Sequence, residues 1–134
     1  MQPSTHEELL NLVKNLSEAK APSGFEEESI AVAREFAAPF AEAEEDHVRN
    51  LFLRPRNFSG TKPVFMLDAH GDEVGMMVQA IKPNGTLRFL TLGNWTPNTL
   101  PSSKVWVRNR FGRYIPGIIA APPSGGETAH RGEG

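Results

Sequence analysis

Up to Pro39 the apolar positions recur at helical spacing, and further along they fall into alternation or short unbroken runs. Leu9, Leu10, Val13 and Leu16 lie on one helical stripe, preceded by Thr5-His6-Glu7-Glu8 and ended by Ala21-Pro22. The Thr-x-x-Glu spacing is a capping box, in which each side chain satisfies the other residue's backbone N–H. The stripe is expected to pack into the core. A second helix is predicted behind Ser23-Gly24-Phe25-Glu26, which again has capping-box spacing. Phe25, Val32 and Phe36, with Ile30, Ala33 and Ala37 beside them, give it a broad apolar face, and Pro39 stops it.

The acidic run Glu42 to Asp46 is expected to be a solvated face, His47 to Leu53 a strand, and Arg54 to Lys62 a loop. Val64-Phe65-Met66-Leu67 is a short, unbroken apolar run. Such a run reads as a strand buried on both faces in a sheet covered by helices. Gly75 to Ile81 and Thr86 to Leu92 flank Lys82-Pro83-Asn84-Gly85, whose Asn-Gly predicts a hairpin. Lys104 to Arg108 and Tyr114 to Ile119 form a second pair hinged at Asn109 to Arg113, with Trp95 and Trp106 expected in a β core or an interface. The predicted class is therefore α/β. Residues 1–72 form a helix-and-sheet part, residues 73–121 an all-β part, and residues 122–134 a glycine-rich tail in which the pattern fails.

Composition narrows the function. The chain has 134 residues, 39% hydrophobic and 22% charged, which suits a globular fold. A net charge of -2 gives no electrostatic drive toward nucleic acid or an anionic membrane surface. With no cysteine, a metal would have to be held by His, Asp or Glu. The first residues lack a basic start and an apolar stretch, and no run is long enough to span a bilayer, so a cytoplasmic location is expected.

The candidate chemistry sits at the carboxyl end of the predicted buried strand, in Asp68-Ala69-His70-Gly71-Asp72-Glu73. Ligands collect at that end of open α/β sheets. His70 and Asp72 are two apart, so in an extended backbone they leave on one side, roughly 6–7 Å apart at Cα. The Asp72 carboxylate is then placed to accept a hydrogen bond from one ring nitrogen of His70 or of a neighbouring ligand, leaving the other nitrogen of His70 for a metal. The same spacing also describes a strand end with a solvated histidine and two surface acids. His47 is read as structural or exposed, and Glu127-x-x-His130, in so glycine-rich a tail, as a coincidence of spacing.

Leu67-Asp68-Ala69-His70-Gly71-Asp72-Glu73-Val74-Gly75-Met76-Met77-Val78 resembles the signature of the glutamyl and deblocking metallo-aminopeptidases, the tetrahedral aminopeptidases. Ala21-Pro22-Ser23-Gly24-Phe25-Glu26, Leu92-Gly93-Asn94-Trp95 and Ile115-Pro116-Gly117-Ile118-Ile119 are similar to further landmarks of that family in the same order. The resemblance covers the family's amino-terminal portion. It implies the start of a zinc-peptidase-type α/β/α catalytic domain, followed by the beginning of a small β-barrel-like domain used for subunit pairing. It also implies hydrolysis of amino-terminal residues from peptides by two divalent metals, zinc or cobalt, in a homo-oligomer. His70 would be a metal ligand and Asp72 the residue that orients it.

In the family the other ligands and the general base lie downstream of the region this chain matches. The chain alone is therefore expected to be inactive, with at most one weak metal site. Glu73 matches no catalytic glutamate. The loop before the second helix lies near the cleft in the relatives, but helix capping alone accounts for its residues and is the reading kept. The family has Gly-Asn where this chain has Arg49-Asn50, so a turn that relied on a positive φ is expected to be built differently here. The rivals are a zinc-dependent deacylase or carboxypeptidase, and a non-catalytic, truncated assembly module.

Overall fold

The computed structural model describes residues 5–120. They belong to two compact units, one ending at Trp95 and the other beginning at Thr96. The predicted tail, with Glu127 and His130, lies outside the described residues.

The first unit opens with α1 (His6–Glu18), and its capping box is complete. The Thr5 hydroxyl accepts the Glu8 N–H at 3.2 Å, and the Glu8 carboxylate accepts the Thr5 N–H at 2.6 Å. The expected burial of the leucine stripe is corrected: Leu9, Leu10, Val13 and Leu16 are all exposed, and no residue of α1 is buried. Asn15 and Glu18 of α1, with the C-cap Ala19, share a recess with residues of α2 (Glu27–Ala37), and the leucines do not line it.

The second predicted capping box is corrected as well. The N-cap of α2 is Glu26, and no side chain caps it. Pro22 to Phe25 instead form a turn in which the Phe25 N–H donates to the Pro22 carbonyl at 2.8 Å and Gly24 takes φ +87°. Glycine at the third position of such a turn avoids the Cβ clash of a positive φ. The turn leaves Ser23 at its second position, off the helix.

The acidic run is a strand. β1 (Ala41–Glu45) pairs antiparallel with β2 (Leu51–Pro55), and α2 packs against both. Ile30 and Ala37 of α2 and Ala41 of β1 are buried, and the Arg34 guanidinium donates to the Ala43 carbonyl and the Glu45 carboxylate of β1. His47 to Asn50 is a turn rather than the start of the predicted strand. The Asp46 carboxylate organises it, accepting the Val48 and Asn50 N–H groups at 2.9 Å each and the Asn50 side-chain amide at 2.8 Å. These bonds, that of the Asn50 side chain foremost, hold the Asp46 pKa below its ordinary value.

The turn keeps a positive φ without the glycine: Arg49 takes +72°. Its guanidinium reaches Glu45 at 3.2 Å and Glu27 at 3.1 Å, and Glu45 also binds Arg34 at 2.7 Å. A left-handed non-glycine residue costs about 1–2 kcal/mol, and exposed ion pairs return about 0.2–1 kcal/mol each. Arg49→Ala keeps the strain and loses the pairs, so amide exchange across β1 and β2 should accelerate. Arg49→Gly loses the pairs but relieves the strain. It should be the more stable of the two by up to about 1 kcal/mol, and the reverse order would disprove this account.

The run Val64 to Leu67 does not form the expected buried strand. Phe65 is 92% and Leu67 98% exposed, and none of the four residues is in a strand. A strand needs a partner for its backbone N–H and C=O groups, and among the described residues β1 and β2 pair only with each other, as do β3 (Gly75–Ile81) and β4 (Leu87–Leu92). The β3–β4 hairpin matches its prediction. Gly85 takes φ +82° in the turn, and the register shifts between Val78 and Ala80.

In the second unit β5 (Lys104–Arg108) pairs antiparallel with β6 (Tyr114–Ile118), also as predicted. The Asn109 side chain closes the loop by accepting the Phe111 and Arg113 N–H groups. Trp106 is 59% exposed rather than in a β core. The sheets among the described residues are three antiparallel pairs, so no closed barrel is formed there. No helix among them is long and apolar enough to cross a membrane.

Candidate metal-ligand site

The segment carrying the motif is held by the loop that begins α2. The Glu73 N–H donates to the Ala21 carbonyl at 2.8 Å, and the Ala21 N–H donates back to the Glu73 carboxylate at 3.0 Å. Pro22 and Glu73 form an isolated parallel bridge. The buried Ser29 hydroxyl donates to the Gly71 carbonyl at 2.9 Å. Gly75 lets the two segments approach, because a Cβ there would lie 2.6 Å from the Pro22 Cβ. Trp95 closes the far side, its indole N–H donating to the carbonyls of Gly75 and Leu92. Each of Gly71, Glu73 and Gly75 is thus fixed through its backbone.

Between them sits Asp72. One carboxylate oxygen, Oδ2, accepts the Ser23 hydroxyl at 2.5 Å. The other, Oδ1, lies 3.3 Å from Nδ1 of His70, and the Asp72 carbonyl lies 3.0 Å from the same nitrogen. The Ser23 hydrogen bond is the main reason the Asp72 pKa is lowered; the charge of His70 adds to it. The ionised carboxylate and the carbonyl are both acceptors, so in the neutral ring Nδ1 carries the proton and Nε2 carries the free electron pair. The imidazole itself is 87% exposed and Asp72 38%.

His70 and Asp72 are therefore brought together, with the ring turned outward rather than into a cavity. Two recesses on the surface are lined by other residues, on α1, α2, β1 and the Asp46–Asn50 turn. Among the described residues no three His, Asp or Glu side chains are grouped to hold a metal. One imidazole and one carboxylate that orients it do not fit a two-metal centre on their own. Glu73 is engaged with the Ala21 backbone, a holding contact. Ser23 and Ser29 were not among the candidate residues. Pro-Ser-Gly-Phe-Glu is the signal for Ser23, and Ser29 lies beyond it on α2.

The M42 glutamyl aminopeptidase family matches residues 50–132. The chain is 34% identical over 118 residues to the glutamyl aminopeptidase of Lactococcus lactis, covering 87% of this chain and 33% of that protein. It is 31% identical to the lysyl aminopeptidase of Pyrococcus furiosus, covering 84% of this chain and 32% of that protein. A TET aminopeptidase from a marine sediment archaeon of the Thaumarchaeota superposes with a TM-score of 0.77 at 36% identity, covering 90% of this chain and 35% of that one. The chain belongs to the M42 glutamyl aminopeptidase family. It spans about a third of the length of these curated relatives.

Proposed function

We propose that this chain is the amino-terminal part of a dinuclear, zinc- or cobalt-dependent aminopeptidase that releases amino-terminal residues from peptides. In this reading His70 supplies one metal ligand through Nε2, and Asp72 orients the ring. The observation that carries the reading is the anchored Nδ1, with the opposite nitrogen unobstructed, at the motif shared with the M42 family. The full centre needs donors beyond this pair. Residues 1–72 would form the catalytic part, and residues 73–121 a β assembly segment through which copies associate. Peptides are the proposed substrates, with a cytoplasmic location and neither nucleic acid nor membrane as partner, in keeping with the net charge of -2.

The 134-residue chain by itself should release no amino acid from peptide anilides with added zinc or cobalt; steady release would refute the proposed division of the site. A second reading, a non-catalytic assembly module, is favoured by apolar side chains exposed on the strands, among them Met77, Leu90 and Ile118. Size-exclusion chromatography with metal analysis separates the two, because an assembly module forms oligomers that hold no metal.

A further inference from the structure

We propose that Ser23 is a positioning residue for His70: its hydroxyl holds one oxygen of the Asp72 carboxylate so that the other faces Nδ1, which fixes the tautomer that leaves Nε2 free. This rests on the reading of His70 as a ligand and names the residue that readies it. The geometry divides the work between two serines on the same loop and helix. Ser29 binds the Gly71 carbonyl and so holds the main chain. Ser23 binds only the Asp72 side chain, at 2.5 Å. A carboxylate on an exposed aspartate otherwise has a free rotor, and its oxygens would be shared with water. Anchoring Oδ2 leaves Oδ1 at 3.3 Å from the ring.

The type of turn makes this possible. With Gly24 at φ +87°, the Pro22–Phe25 turn carries Ser23 at its second position instead of on the helix, and the Pro22–Glu73 bridge sets that position beside Asp72. The absence of a side chain at Gly75 is part of the same device, since a Cβ there would push Pro22 away. A hydroxyl is the right donor because it gives one short, directed hydrogen bond to a charged acceptor.

The test is nitrogen NMR of the 134-residue chain with labelled histidine. It is run without metal, at a pH where the nitrogen shifts themselves report a neutral ring. His70 should show a protonated Nδ1 and a bare Nε2. In Ser23→Ala the paired nitrogen shifts should move at least half of the way from wild type to Asp72→Ala. Ser23→Thr, which keeps the hydroxyl, and Ser29→Ala, which loosens only the main chain, should stay at the wild-type position. Amide shifts of β3 and β4 report that each variant is folded. The proposal is overturned if Ser23→Ala leaves the shifts unmoved, if Ser29→Ala moves them as far, or if wild-type His70 carries its proton on Nε2. Because the readout involves neither metal nor peptide, a lost peptidase reading would leave this result standing, and the reverse also holds.

Discussion

With residues 5–120 of this chain put in place of the matching third of the thaumarchaeal TET aminopeptidase, the hybrid should hydrolyse peptide anilides, and His70→Ala in it should lower kcat/KM by about a thousandfold. The exchange is reasonable because the two superpose with a TM-score of 0.77 over 90% of this chain. The size of the effect follows from what a catalytic metal contributes. Lewis-acid stabilisation is worth several kcal/mol, and about 4 kcal/mol corresponds to roughly a thousandfold in rate. Asp72→Ala acts one step removed, by freeing the ring, and should cost about 10–100-fold with a parallel loss of metal affinity. Metal content by mass spectrometry and kcat/KM are measured on the same samples. A soluble, active hybrid that tolerates His70→Ala would remove His70 from the site.

The second large effect is expected at Gly93. This residue takes φ +83°, and a Cβ on it would lie 2.9 Å from Cγ1 of Val74. Gly93→Ala therefore adds left-handed strain of about 1–2 kcal/mol to overpacking of about 1–3 kcal/mol. Gly85 is the internal comparison: its φ is +82°, but nothing lies within 4 Å of the added carbon. Gly85→Ala should show the strain alone. Amide exchange across β3 and β4 measures both, and Gly93→Ala should open the hairpin by the larger margin. Equal effects would mean that Val74 yields at no cost. The position matters beyond stability, because Trp95 ties Gly75 and Leu92 together two residues further on.

Local features were readable where one residue's chemistry decided them. The Thr5–Glu8 capping box, the Asn84-Gly85 hairpin and the β5–β6 pair needed only side-chain reach and turn preference, and all three formed as expected. The proximity of His70 and Asp72 followed from their spacing in the same way. Features that depend on a second layer were not readable. Leu9, Leu10, Val13 and Leu16 have the periodicity of a core face, but periodicity only says which residues share a side, and nothing among the described residues covers that side. Val64 to Leu67 has the composition of a buried strand and lacks the paired neighbours that would make it one. At Arg49 the turn keeps a positive φ although the family's glycine is absent. Two carboxylates placed by α2 and β1 offset a strained φ that the residue alone would avoid.

The sequence by itself determined the family, the two hairpins, the first helix and the paired imidazole and carboxylate, because each rests on contacts within a few residues or on a run of matched landmarks. Only the tertiary structure decided which way the ring faces and what holds Asp72. Ser23 and Asp72 are 49 positions apart, and Ala21 and Glu73 are 52 apart. No local periodicity connects residues at such separations. They meet because the Gly24 turn and the Gly75 gap let two backbones come close enough for hydroxyl and carboxylate to bond.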